Sequence, residues 1–140
     1  MSKKMTAFIL IAAVIISITI FLIPEKNKKP ENPPVPAASA EQRTEYFALH
    51  GWEAEEIAEK KVIIPEDFSG IYEDYAAMQD KQGLPLRKYG GKNAVLYIYE
   101  IKNYSPRSCK MLAELLVCDN IAVASMVYSD DKGSVRLAVS

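Results

Sequence analysis

Histidine, tryptophan and cysteine are almost missing from this chain of 140 residues, which has one, one and two of them. A zinc centre needs four nitrogen or sulfur ligands at short spacings, and His50, Cys109 and Cys118 do not supply them. Glycine is sparse too, six in all. Its one doublet, Gly90-Gly91, stands before a strand pattern rather than a helix, unlike a phosphate-cradling loop. Nor is there an excess of basic charge, since 17 Lys and Arg face 18 Asp and Glu. The balance is uneven along the chain. Residues 1–40 carry five lysines and two glutamates, a net of +3, which leaves residues 41–140 at −4. Phosphate backbones are held by clustered Lys and Arg, so nucleic acid is not an expected partner of this acidic part.

What the chain does have is one long apolar run. Met5 to Ile23 contains no charge, and its only polar interruptions are Thr6, Ser17 and Thr19. As a helix it would measure about 28 Å, the hydrocarbon thickness of a bilayer. It is apolar on every face, and a chain this short has no core large enough to surround it. A single-pass membrane anchor is expected, with the lipid bilayer as its partner, behind a basic tail at residues 1–4. Ala38-Ser39-Ala40 has the small-x-small form of a cleavage site, but it lies far beyond the apolar run, so the anchor is expected to stay uncleaved. No cysteine follows the run before Cys109, so a lipoprotein anchor is not expected. Basic residues flank both ends nearly equally. The short basic tail resembles an export signal and favours a domain outside the cytoplasmic membrane.

Residues 24–40 hold five prolines, which forbid a helix and favour an extended spacer. A compact domain is then expected over residues 41–140. Ser39 and Gln42 form a potential capping box for a helix carrying Tyr46, Phe47 and Leu49 and stopping at Gly51. Trp52 to Ile64 alternates as a strand. Pro65 suits a first helical position, and Phe68, Ile71, Tyr72, Tyr75 and Met78 recur as one buried stripe ending before Gly83. Strands follow at Asn93–Tyr104, Ser108–Cys118 and Ile121–Tyr128, with Asp119-Asn120 as a two-residue hairpin turn and a short last strand in Ser134–Val139. Lys110–Val117 also admits a helical reading, which the hairpin context disfavours. The expected fold class is α+β: two helices and an antiparallel meander of about four strands.

Residues 45–128 resemble the bacterial family Domain of Unknown Function 4830. The features that carry the likeness are Gly51-Trp52, Ile64-Pro65 with Phe68, Tyr72 and Tyr75, then Gln82-Gly83, Tyr89-Gly90, Tyr97-Ile98-Tyr99 and Asn103-Tyr104. The resemblance implies a small, membrane-anchored bacterial protein with one compact domain, and it implies no activity.

No catalytic, cofactor or metal residue is assigned from the sequence. His50 reads as a helix C-terminal residue. Cys109 and Cys118 read as buried free thiols, because nine residues of strand hold them too far apart for a disulfide. The acidic run Glu53, Glu55, Glu56 and Glu59 reads as a solvated face, with a weak calcium site as the sharper alternative. Asp130-Asp131-Lys132-Gly133 reads as a turn. Tyr97 and Tyr99 are expected to pack against the second helix, the alternative being the floor of a peptide or glycan groove. The expected function is an extracytoplasmic domain that binds a protein or envelope component. Two alternatives are an envelope enzyme with a carboxylate pair from Glu53–Glu59, and a cytoplasm-facing regulatory module.

Overall fold

The computed structural model describes residues 32–140. The expected tail, the anchor and the spacer as far as residue 31 lie outside the described residues. Among the described residues no helix is long and apolar enough to cross a membrane. The elements are β1 (Val35–Pro36), α1 (Ala40–Leu49), β2 (Ala54–Ile63), α2 (Ile71–Gln82), β3 (Asn93–Ile101), β4 (Met111–Cys118), β5 (Ile121–Ser129) and β6 (Arg136–Leu137). Short 3-10 turns stand at Leu86–Tyr89 and Pro106–Ser108.

The expected class holds: two helices and one antiparallel sheet. The sheet is larger than four strands. Its order is β1-β5-β4-β3-β2, with β6 also on β5. The meander runs β2, β3, β4, β5. The two extra strands share the outer edge of β5, β1 at Ala122 and Ile121 and β6 at Val127 and Tyr128. Each is two residues long; β6 falls within the short last strand expected in Ser134–Val139, whereas β1 lies in the expected spacer, where so short a strand shows no alternation. Asp119 and Asn120 turn the β4–β5 hairpin with φ of +52° and +65°, the left-handed pair such a turn demands.

β1 corrects the expected spacer. Residues 35–37 belong to the domain: Ala37 is buried, and its N–H donates to the Asn120 carbonyl at 3.0 Å. Ala38 and Ser39 then belong to the helix start. The Gln42 N–H donates to Ser39 Oγ at 3.2 Å, and Gln42 Oε1 accepts from the N–H groups of Ser39 and Ala38. The capping box is therefore complete. α1 buries Arg43, Tyr46 and Phe47, spaced three and four apart. Leu49 falls outside that stripe and is 75% exposed.

Two hydrophobic layers cover the two sheet faces. Tyr46 and Phe47 of α1 meet Tyr99, Ile101, Ala113, Leu115 and Val127. Ala76 of α2 meets Ile64, Leu86, Leu116 and Ala124 on the other face. Tyr97 and Tyr99 thus pack toward the first helix, contrary to expectation: the Phe47 and Tyr99 rings are 4.7 Å apart.

The second helix departs most from its expected form. It begins at Ile71, because Gly70 has a φ of +59° that a helix interior does not accommodate, and Pro65 lies in the loop before it. Gly83 ends it in the left-handed conformation, as expected. The buried positions are Ala76 and Gln79, while Ile71 is 74% and Tyr72 51% exposed. Of the expected stripe, Phe68 in the loop before the helix and Tyr75 and Met78 within it are half-buried. The cause is the stretch of β5 between β1 and β6, which has no strand on its outer side. The Gln79 amide donates to the Ser125 carbonyl at 3.0 Å and accepts from the Ser125 N–H at 2.8 Å, standing in for a neighbouring strand. Gln82 adds a donation to the same carbonyl and accepts from Val139 N–H at 2.8 Å. Polar amides therefore turn inward and decide the rotation of the helix.

Candidate functional site

The acidic run sits on β2, the edge strand, where nearly every side chain faces solvent. Glu56 is taken by Arg43 at 3.0 Å, and the Tyr99 hydroxyl also donates to it at 3.0 Å. Glu55 pairs with Lys102 at 3.2 Å. Among the described residues no three Asp, Glu, His or Cys side chains are grouped to hold a metal ion. The strand also carries a bulge between Glu56 and Ala58. Charges and a bulge on an exposed edge prevent other strands from adding to it, which gives this run a structural purpose.

The other residues singled out from the sequence are scattered. His50 caps α1, with its ring 5.1 Å from that of Tyr46. Cys109 and Cys118 are free thiols flanking β4 at its two ends. Cys109 is half-buried near Asp131, and Cys118 is buried and donates to the Asn93 carbonyl at 3.4 Å. Burial pushes the Cys118 thiol upward, away from the reactive thiolate. Trp52 ties down the C-terminus by donating from its indole to the Val139 carbonyl at 2.9 Å.

The structure brings together a site that the residues had not suggested. Ile71 and Tyr72, left unburied by the rotation of α2, overhang a groove of about 420 Å³ between that helix and the sheet. Phe68, Tyr75, Leu116 and Met126 line it, and Glu114 of β4 lies among them. Glu114 stands opposite Ile98 on β3 and Met126 on β5, so its cross-strand neighbours are apolar. Burial raises its carboxyl above the ordinary range, and a hydrogen bond donated by the Tyr75 hydroxyl pulls the other way. The Tyr75 hydroxyl is itself held well above its ordinary range by burial and by this carboxylate, so it remains a donor. A second cavity of about 280 Å³ shares Glu114, Met126 and Arg136 with the first and lengthens it toward Tyr128.

No family model, curated protein or solved structure matches this chain. The site therefore rests on its own chemistry. A half-buried carboxylate in an apolar, concave lining is the pattern of a binding site. The signal was present in the sequence as one acid inside Met111-Leu112-Ala113-Glu114-Leu115-Leu116-Val117. What it lacked was a partner at readable spacing, since Tyr75 lies 39 residues away.

A broader depression of about 940 Å³ lies at the hairpin end of the sheet, lined by Ala37, Lys61, Val95, Tyr97, Val117 and Asp119 among others. Its charges are at exposed positions, and Asp119 already pairs with Lys92. Its buried titratable group is the Cys118 thiol, already a donor to backbone. The groove under α2 is the better candidate.

Proposed function

We propose that this chain is a single-pass membrane protein, anchored through Met5–Ile23, whose domain stands outside the cytoplasmic membrane and binds a protein or envelope component in the groove under α2. This is the kind of tethered module that the resemblance to Domain of Unknown Function 4830 implies. The observation that carries the binding reading is the groove itself, with the exposed Ile71 and Tyr72 at its rim and Glu114 inside. Large apolar side chains left exposed beside a concavity mark interaction surfaces more often than chance exposure does. An uncleaved anchor is supported by the fate of Ala38-Ser39-Ala40, whose serine is the cap of α1 and whose alanines flank it. The spacer shortens accordingly, to residues 24–31. At about 3.1 Å per residue an extended spacer of that length would span roughly 25 Å.

The binding reading is preferred to that of an envelope enzyme because two of the carboxylates in Glu53–Glu59, Glu55 and Glu56, are held by cationic partners. A photo-crosslinking residue placed at Ile71 or Tyr72 in intact cells tests the binding reading, with Glu59 on the charged edge as the control position. Discrete adducts from the groove positions and none from Glu59 are expected. The same yield from all three positions, or none, would remove the groove as the binding site. Reporter fusions after Ser140 test the side of the membrane: activity of a reporter that works only in the cytoplasm would make this a cytoplasm-facing module.

A further inference from the structure

The groove has a chemical asymmetry that narrows its ligand. Its walls are apolar and aromatic, with Phe68, Tyr72 and Tyr75 contributing three rings. Its acidic residues are Asp74 at the exposed rim and Glu114 inside, its basic residue is Arg136, and the extension toward Tyr128 adds the exposed Asp130 and Lys132, one charge of each sign. Arg136 is turned to its own loop, where Nε donates to the Gly133 carbonyl at 3.1 Å. Burial and the Tyr75 hydroxyl are the influences on the Glu114 carboxyl, and among the described residues no ion pair includes it.

A ligand that covers this groove removes the remaining water from Glu114. A neutral apolar ligand would leave a desolvated carboxylate compensated by the Tyr75 hydroxyl alone, and an anionic one would add repulsion. A cationic head supplies the missing partner, and aromatic rings beside it favour the same charge. The shape adds a second constraint. The two cavities that meet at Glu114, Met126 and Arg136 form an open trough rather than a closed chamber, a shape that suits a segment of chain better than an enclosed small molecule.

Resting on the binding reading above, we infer that the groove takes an apolar stretch of polypeptide bearing one lysine or arginine, whose charged head pairs with Glu114 while its apolar neighbours lie on Ile71, Tyr72, Leu116 and Met126. The full-length chain in lipid nanodiscs is titrated against two dye-labelled pentapeptides, Ala-Leu-Lys-Leu-Ala and Ala-Leu-Gln-Leu-Ala, with empty nanodiscs subtracted and binding read by fluorescence anisotropy. The lysine peptide should bind at least about ten-fold more tightly. Glu114→Gln, which keeps the shape and an acceptor for Tyr75, should bring the two peptides to within about two-fold. Tyr72→Ser, at an exposed rim position where folding is not at stake, should weaken both. Equal affinity of the two peptides, with both lost in Tyr72→Ser, would overturn the charge pairing and leave the groove as a binding site. A lysine preference that survives Glu114→Gln would overturn the pairing in the same way. No binding, or binding that Tyr72→Ser leaves unchanged, would overturn both the pairing and the groove.

Discussion

Arg43 shows how much one side chain can organise. Its guanidinium donates to Glu56 on β2, reaches the Ala37 carbonyl after β1 at 3.3 Å, and lies 3.7 Å over the Tyr97 ring on β3. Removing it leaves the Ala37 carbonyl without this donor and Glu56 with the Tyr99 hydroxyl alone. Arg43→Ala should destabilise the domain by about 2–3 kcal/mol, below the cost for a fully buried pair because Glu56 is partly solvated. Arg43→Lys should recover less than half of the loss, since an ammonium cannot reproduce the fork and the stacking. Denaturant melts of the two variants check both statements. Glu114 acts in the opposite sense. Its carboxyl is raised in the folded state, so the fold holds that proton more tightly than the unfolded chain does. This contribution grows as pH falls through the raised value and is complete below the ordinary Glu value of about 4.3. Glu114→Gln should therefore be more stable than the parent near pH 7, by about 1 kcal/mol, with the gap closing toward pH 4. A gap that widens on acidification would show that the carboxylate is stabilised by the fold.

At the level of elements, α2 is fixed by what β5 needs rather than by its own apolar residues. Gln79→Ala would leave the Ser125 N–H unpaired at a fully buried position, while Gln82 still serves the carbonyl. The expected cost is about 2 kcal/mol. Ile71→Ala, a larger loss of hydrocarbon by count, should cost less than about 0.5 kcal/mol because the side chain is already in water. Comparable losses in the two melts would contradict the rotation of the helix. The same amide pair links both layers, since Ser125 Oγ lies 2.8 Å from the Tyr46 hydroxyl of α1 and 3.3 Å from Gln82 Oε1. Among the described residues no buried side-chain nitrogen or oxygen lacks a partner. A fully satisfied network of this kind specifies one arrangement of helices on the sheet.

For the whole molecule, the domain boundary moves toward the N-terminus, from residue 41 to residue 32. A fragment of residues 32–140 retains β1, the Ala37 bond to Asn120 and the Arg43 bond to Ala37, whereas a fragment of residues 41–140 loses all three together with the Ser39 cap. The shorter fragment should be less stable by about 2 kcal/mol or more, seen as a drop in melting temperature of roughly 8 °C or more. Identical melting of the two fragments would return residues 32–40 to the spacer. Both ends of the domain then converge on the C-terminal end of α2: Asn32 Nδ2 reaches the Gly83 carbonyl at 3.5 Å, and Val139 and Ser140 donate to Gln82. Deleting the last two residues should therefore lower stability as well, by removing the acceptor of the Trp52 indole and the donors to Gln82.

Much of this architecture was legible because it depends on neighbours along the chain. Ser39 and Gln42 cap α1, Asp119-Asn120 turns the hairpin, Gly83 stops α2, and the apolar alternation of β3 to β5 follows from a two-residue period; each is a local rule that needs no knowledge of the rest of the fold. The sequence alone also marks the apolar run of Met5–Ile23 and the acidic balance of the domain. The tertiary structure decided what depends on residues far apart. A two-residue strand has no period to read, so β1, inside the expected spacer, exists only because β5 offers an edge. The inward turn of Gln79 and Gln82 depends on the unpaired backbone of Ser125, 46 and 43 residues away, and it overrode the apolar stripe that helical spacing favoured. That same override leaves Ile71 and Tyr72 over Glu114 and so creates the groove. A periodic pattern reports which side chains prefer to be buried. Which of them are buried is settled by the hydrogen bonds that the backbone of another element still requires.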